Sequence, residues 1–412
     1  MQEIYNTIIN EDARNIESIL PNNLSIQTTI TSPPYYDMKN YGVDNQIGYG
    51  QAYEDYLNDL QLVFKSILTK TKEDGTLWII IDTFKRNNSV ILLPFDLAEK
   101  LKQIGWMLQE IIIWKKDKTV PWSSSGFTQK KFEYILFFSK SSKYKYNKDR
   151  VRIFDPRLLK RWWIKYPERY NPKGKALDEV WEFPIPVQGS WGKEYIRHFC
   201  PLPKEMVTTM IEISSDEQDI IFDPFAGTGS VLSQSAYMKR KFFGIEINSE
   251  YIAMFKDYLK STINTGTQEY ISLKNTDDQK NFENNILNLR ALKYGRVLVN
   301  KLEKATNLSN IKVYISRLES QDSANKDIVS ISICGLENTK ENNLIIEDIV
   351  SNPPLSKFSI KPRIYYVDKI DSNNHFCYNK TNSYSYMRNF TNMDNVKVIS
   401  NIQVDFKESD YE

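Results

Sequence analysis

Along the first 260 residues, short apolar runs alternate with longer stretches whose apolar positions recur every three to four residues. Residues 26–30, 78–81, 110–114, 134–138, 220–222 and 242–245 read as strands. Residues 53–68 carry Tyr53, Tyr56, Leu57, Leu60, Val63, Phe64, Ile67 and Leu68 on one face, the pattern of an amphipathic helix. Residues 12–20, 97–104, 204–213, 231–238 and 251–260 read as further helices. Strand and helix in alternation predict an α/β fold, with a largely parallel sheet covered on both faces. After a polar stretch the pattern changes. Residues 282–305 have helical periodicity, and strand-like runs follow at 313–315, 328–333, 364–367 and 396–404. This predicts a second, α+β domain.

Two strand ends stand out. The run 26–30 leads into Thr31-Ser32-Pro33-Pro34-Tyr35-Tyr36. Successive prolines have no N–H to give a ladder and their φ is fixed, so the strand stops there in a stiff tip. That tip carries a hydroxyl, carbonyls in fixed directions and aromatic faces, which suit a planar group bearing an amine. About 190 residues later, 220–222 leads into Asp223-Pro224-Phe225-Ala226-Gly227-Thr228-Gly229-Ser230 and a helix. Glycines at a strand-to-helix turn let a ligand approach the backbone. Some 20 residues on, the next strand ends in Glu246, the spacing at which an acid accepts both hydroxyls of a ribose. Asp223 is placed to orient a charged amino-acid group. Strand, glycine turn, helix, strand and acid together predict a nucleoside site.

These residues resemble a known family. Asp223–Ser230 is similar to the S-adenosylmethionine loop of DNA amino-methyltransferases, and 31–35 is similar to their catalytic motif. Catalytic motif first and cofactor loop last is the order of the β group, a circularly shifted Rossmann-like methyltransferase. Asp12-Ala13 resembles the early acidic cofactor motif, with Glu11 where glycine is usual. Residues 75–80 resemble a core strand. Residues 131–139 resemble the strand before the variable region, with Phe132 where histidine is common. Residues 180–184 and 198–204 resemble the return to the core, with Phe199 and Cys200 departing from the usual pattern. The match spans residues 3–260. It implies catalytic roles for Ser32, Pro33, Pro34 and Tyr35. It implies cofactor contacts from Asp12, Ala13, Thr31, Pro203, Asp223, Pro224, Phe225, Ala226, Gly227, Gly229, Ser230, Glu246 and Ile247. The implied cofactor is S-adenosylmethionine and the implied partner is double-stranded DNA.

Charge sharpens the picture. The chain has 412 residues and a net charge of only +2. Residues 140–175 hold thirteen basic and three acidic residues, so the positive charge is concentrated there. Tyr144, Tyr146, Trp162, Trp163, Tyr166 and Tyr170 are interleaved with it. Basic residues meet phosphates, while arginines and aromatics read or wedge bases. The window sits where the family places target recognition. Lys148, Arg150, Arg152, Arg157, Lys160, Arg161, Trp162, Trp163 and Lys165 are the candidate DNA contacts. Three cysteines without Cys-x-x-Cys spacing and only two histidines argue against structural zinc and a histidine-based metal site. No apolar run reaches membrane-spanning length and no signal peptide opens the chain, so a cytoplasmic protein is expected.

The expected organisation is a catalytic half at 1–139, a target-recognition region at 140–190 and a cofactor-binding half at 191–262. A linker at 263–281 and a C-terminal α+β domain at 282–412 complete it. The implied reaction is methyl transfer to an exocyclic amine of a flipped base, with the Ser32 side chain and the Pro33 carbonyl accepting its N–H hydrogens. Serine before Pro-Pro-Tyr resembles the cytosine-N4 branch, and adenine-N6 remains the alternative. A loop at 37–52 reads either as a cover for the bound base or as an ordinary connection. Residues 352–355 (Asn-Pro-Pro-Leu) echo the catalytic motif but read as a turn. Readings of other classes are a specificity protein with a vestigial core, and a fused restriction enzyme with a nuclease near Asp394 and Asp405–Lys407. A cognate endonuclease or a second copy of the chain is a possible partner.

Overall fold

Strand Ile26–Thr31 is fully buried and lies near the centre of an eight-stranded sheet. The computed structural model describes residues 5–117, 130–154, 166–185, 202–264 and 277–377, apart from 22, 44, 310, 322–326, 368 and 371–375. Labels run in chain order. The sheet strands are β1 (Thr7–Asn10), β2 (Ile26–Thr31), β3 (Thr71–Ile81), β4 (Met107–Lys115), β5 (Phe132–Ser139), β6 (Val180–Glu182), β7 (Ile220–Asp223) and β8 (Lys241–Glu246). Their spatial order is β1-β8-β7-β2-β3-β5-β4-β6. The pairs from β1 to β3 are all parallel. Beyond β3 the sheet departs from the expected pattern, because β5 runs antiparallel to both β3 and β4.

Side chains alternate across this sheet, and the two faces bury different helices. Leu77, Ile79, Ile81, Leu136, Phe138, Phe222 and Phe243 face α1 (Tyr53–Lys70) and α2 (Leu93–Gln103). Trp78, Ile80, Ile135, Phe137 and Ile221 face α3 (Lys204–Ser214) and α4 (Ser230–Tyr237). Helix α5 (Ser249–Asn264) packs Ile252 and Phe255 on Leu232 and Phe242. The predicted helix at 12–20 is a 3-10 turn, Ala13–Asn15, followed by one short α-turn, Ile16–Ile19. Asp12 caps it and then Pro21 intervenes, so it has no room to lengthen.

The chain divides into two compact units. One holds residues 1–152 and 176–275; the other holds 153–175 and 276–412. The second has a three-stranded sheet of β9 (Lys312–Gln321), β10 (Asp327–Cys334) and β11 (Ile360–Val367), antiparallel then parallel. Helices α6 (Asp277–Thr306) and α7 (Lys340–Ser351) cover it, with Tyr294, Leu298, Leu302, Ile346 and Ile349 packed on Val329, Ile331 and Ile333. An α+β unit is what the pattern of residues 282–367 predicts, although α7 went unread. Residues 352–354 form a turn leading into a 3-10 helix, Leu355–Lys357. The strand expected at 396–404 and the carboxylates Asp394 and Asp405 lie outside the described residues. No helix among the described residues is long and apolar enough to cross a membrane.

Within this second unit, Phe154 and residues 167–170 pack on α6, and the basic window is divided between the two units at residue 153. The neck of the segment is closed by paired backbone hydrogen bonds between Ile153 and Lys175, each 2.8 Å. Gly174 is required there: its φ is +111°, and a Cβ would sit 2.5 Å from the Ile153 carbonyl.

Candidate active site

β2 and β7 are neighbours in register, Thr28 opposite Ile221 and Thr29 opposite Phe222. That pairing brings the two chemically distinctive strand ends to one edge of the sheet, where ligands of open α/β folds bind. Thr31 and Asp223 are 192 positions apart in sequence, yet the Thr31 hydroxyl donates to Asp223 Oδ1 at 2.7 Å.

The tip of β2 is supported from several sides. The buried Tyr56 hydroxyl of α1 donates to the Pro34 carbonyl at 2.6 Å. Tyr36 is buried at a positive φ and packs against Tyr53, Tyr56 and Phe84. Gly48 lets the following loop fold onto it, since a Cβ there would stand 2.7 Å from the Tyr36 carbonyl. The Tyr35 hydroxyl donates to Glu133 Oε2 at 2.9 Å and lies 3.4 Å from the Ser32 hydroxyl. Glu133 in turn pairs with Lys116. Close by, Lys130 pairs with Asp82 at 2.8 Å, and burial pushes the Asp82 carboxyl up to about 6.

The tip of β7 is built differently. Asp223 Oδ1 also accepts from the Phe225 amide at 3.1 Å. Burial is the main influence on this carboxyl and raises it to about 7; the hydrogen bonds from Thr31 and Phe225 oppose the shift and the charge of Glu246 adds to it. Gly229 starts α4 at φ +77°, where a Cβ would be 2.1 Å from the Phe255 ring. At the end of β8, Glu246 accepts from the Asn248 amide at 2.8 Å and the Gly227 amide at 2.7 Å. Burial raises its carboxyl above the usual range, against the pull of those backbone donors.

Between the strand ends lies a cleft of about 290 Å³. Ser32, Pro33, Pro34, Tyr35, Asp12, Ala13, Asp223, Pro224, Phe225, Ala226, Gly227, Ser230, Glu246 and Ile247 all line it. Thr31, Pro203 and Gly229 are not in its wall. Thr31 holds Asp223 from behind, Pro203 is buried at the start of α3, and Gly229 makes room for Phe255. Asp12 is itself bound by the Arg14 guanidinium, which also reaches Asp59.

Glu11, Met38, Lys39, Tyr41, Gln46, Ile47, Leu202 and Tyr251 complete the lining and were not singled out from sequence. Five of them belong to the loop 37–52, so that loop is a wall of the cleft. Gln46 holds it by bridging the Tyr41 amide (2.6 Å) and the Lys39 carbonyl (2.7 Å). Periodicity carries no information on such a loop, because its residues are placed by side-chain to backbone bonds and not by a repeating face.

The candidate DNA contacts divide. Lys148 is exposed. Arg150 is tied to Asp216 and to the Ser215 carbonyl (2.7 Å), and Arg152 to Asp149 (2.6 Å). Both arginine side chains are largely buried in these pairs, so they join protein to protein. Arg157, Lys160, Arg161, Trp162, Trp163 and Lys165 lie outside the described residues.

A sequence model of the N6/N4 DNA methylase family matches residues 26–257, more than half of the chain. The chain belongs to that family. Enzymes of this kind take their methyl group from S-adenosylmethionine, and the methylase has a cleft whose parts fit it: a buried carboxylate at each of two strand ends and apolar Pro224, Phe225 and Ile247 between. The methylase is 27% identical to the Type II methyltransferase M.Cfr9I of Citrobacter freundii over 276 residues, 60% of this chain and 85% of that one. It is 28% identical to the Type II methyltransferase M.SmaI of Serratia marcescens over 260 residues, 55% and 82% of the two chains. Among solved structures it is similar to the cytosine-N4-specific PvuII DNA methyltransferase, with 16% identity, TM-score 0.47, and 68% and 92% of the two chains covered. It is also similar to M1.HpyAVI in complex with S-adenosylmethionine, with 20% identity, TM-score 0.42, and 61% and 98% covered. The family match ends before α6, so residues 276–412 of the second unit are outside it while 153–175 are inside.

Proposed function

We propose that the methylase modifies the exocyclic N4 amine of a flipped cytosine in duplex DNA, in the setting of a restriction-modification system. The observation that carries the choice of base is Ser32: the tip of β2 presents a neutral hydroxyl before Pro-Pro-Tyr, as in the cytosine-N4 branch that it resembles. The amine of a base is a poor nucleophile, because its lone pair is delocalised into the ring. Ser32 Oγ and the Pro33 carbonyl accept its two N–H hydrogens, which frees that lone pair. The prolines and the Tyr56 bond beneath them fix these acceptors before the base arrives, so little reorganisation is left for the reaction. Tyr35, steered by Glu133, offers a ring face to the base. A stacked base does not reach such a cleft, so the target leaves the duplex.

Asp223, Glu246, Phe225 and Gly227 hold the cofactor, with Asp223 toward its charged amino-acid group and Glu246 toward its ribose. S-Adenosylmethionine supplies an electrophilic methyl group there. Recognition of the surrounding sequence falls to Lys148 and to the basic and aromatic segment at residues 157–165. The Type II relatives support a cognate endonuclease as the functional counterpart.

The test is nucleoside mass spectrometry of DNA from cells expressing the methylase, beside a Ser32→Ala control. N4-methylcytosine that disappears in the control is the expected result. N6-methyladenine would replace the proposed base while keeping the cofactor and the tip.

A further inference from the structure

The C-terminal part of the second unit, residues 276–412, lies beyond the family match, and its longest helix has an unusual load. Arg290 of α6 is buried, and it donates to two groups of the basic segment, the Pro167 carbonyl at 2.9 Å and the Tyr170 carbonyl. Lys293, one turn further, pairs with both Glu168 oxygens at 3.0 Å and lies 4.7 Å over the Tyr166 ring. Phe282 and Ile286, from the start of the same helix, pack with Phe154 and Tyr170. Burying an arginine is costly unless its donors and charge are met; here two carbonyls of the segment accept from it, and the charges of Asp327 and Glu168 favour its cationic form. α6 therefore fixes the segment at both ends, at Phe154 and at 166–170.

Charge says what the mounted segment is for. Residues 153–175 hold seven basic and two acidic residues. One of the two acids, Glu168, is neutralised by Lys293, while Arg169 and Lys175 remain exposed. The pairing thus offsets negative charge in the segment and leaves an excess of basic residues, which suits an anionic polymer.

We propose that the C-terminal unit is the mount of the target-recognition segment, with Arg290 and Lys293 as positioning residues for binding of duplex DNA. This rests on the reading of the segment as a DNA contact. A mounted reader explains why residues 153–175, although spliced into the methylase unit, fold with a domain that begins 100 residues later. It gives that domain a role in choosing the site and none in the methyl transfer.

The experiment uses the full-length protein and a fluorescent duplex, with Kd for DNA, Kd for S-adenosylmethionine, and the split of kcat and KM measured in parallel. Losing two charge-assisted hydrogen bonds predicts a weakening of DNA binding by about tenfold or more in Arg290→Met, with cofactor Kd and kcat at saturating DNA unchanged. Lys293→Glu is expected to raise KM for DNA about fivefold, since it sets two carboxylates together. Adding Glu168→Lys restores the native net charge and the pair, and is expected to recover KM. Should Arg290→Met fail to fold, this charge-swap series decides. Unchanged DNA affinity in a folded Arg290→Met and in Lys293→Glu would overturn the mount. The underlying reading has its own control: Arg157→Ala with Arg161→Ala weakens DNA binding if the segment contacts DNA. No effect there overturns that reading, and an effect there without one in the α6 variants overturns the mount alone.

Discussion

The ends of β2 and β7 are adjacent, parallel and at the same edge of one sheet, yet they solve opposite electrostatic problems. The β2 tip is stiffened by prolines and offers neutral acceptors. The β7 tip is shaped by glycines and offers a carboxylate so deeply buried that it titrates near neutrality. A neutral amine needs directed acceptors without a full charge, whereas a cationic amino-acid group needs a counter-ion. Backbone topology supplies the closeness, and in the proposed function the chemistry of the two tips divides the labour.

The largest effect expected on this contrast is at the neutral tip. Ser32→Ala should lower methylation by about 10²–10³-fold, the usual cost of losing one pre-organised transition-state contact, and leave the calorimetric Kd for S-adenosylmethionine unchanged. Asp223→Asn should do the reverse, weakening cofactor binding by about tenfold to a hundredfold at pH 8. If both variants lose the same property, the division of labour fails.

A pH series sharpens the point. Asp223 is protonated below about pH 7 in the ligand-free protein. A cationic ligand group prefers the ionised form, so affinity should fall by up to about tenfold per pH unit below about 7. Asp223→Asn should remove that slope. Stability runs the other way. The folded value is raised from 3.8, so the aspartate's contribution is fully present below that value and is lost as pH rises through about 7. The Tm of ligand-free Asp223→Asn should therefore exceed that of the native protein at pH 8. Gly229→Ala should cost about 1–3 kcal/mol in urea unfolding, from positive φ and the Phe255 ring. The smallest effect is at the aromatic: Tyr35→Phe frees the ring from Glu133 and should lower kcat only about two- to fivefold.

Both strand ends were legible because each breaks a local rule, Pro-Pro against a ladder and Gly-x-Gly against a helix start. The walls between them were not. Tyr35 to Glu133 joins residues 98 apart, and Gln46 closes a loop whose sequence has no period. The reversal of β5 was hidden for a related reason: an apolar run reads the same in either direction. Arg150 and Arg152 show the limit of composition, since a basic residue in a basic window looks the same whether it faces phosphate or Asp216. The partition of 153–175 onto α6 was equally invisible, because Arg290 announces its buried role only through carbonyls about 120 positions away.

The pairing of β1 with β8 has a consequence for how the molecule comes into being. Asn10 meets Glu246 across 236 positions, and β2 meets β7 across nearly as many. At ribosomal rates of about 5–20 residues per second, the first strand waits on the order of ten seconds or more for its neighbour. The sheet cannot be closed until the entire basic segment has been synthesised. A nascent chain therefore has residues 140–175 already in hand when the sheet closes, while α6, on which Phe154 and residues 166–170 pack, is still to be made.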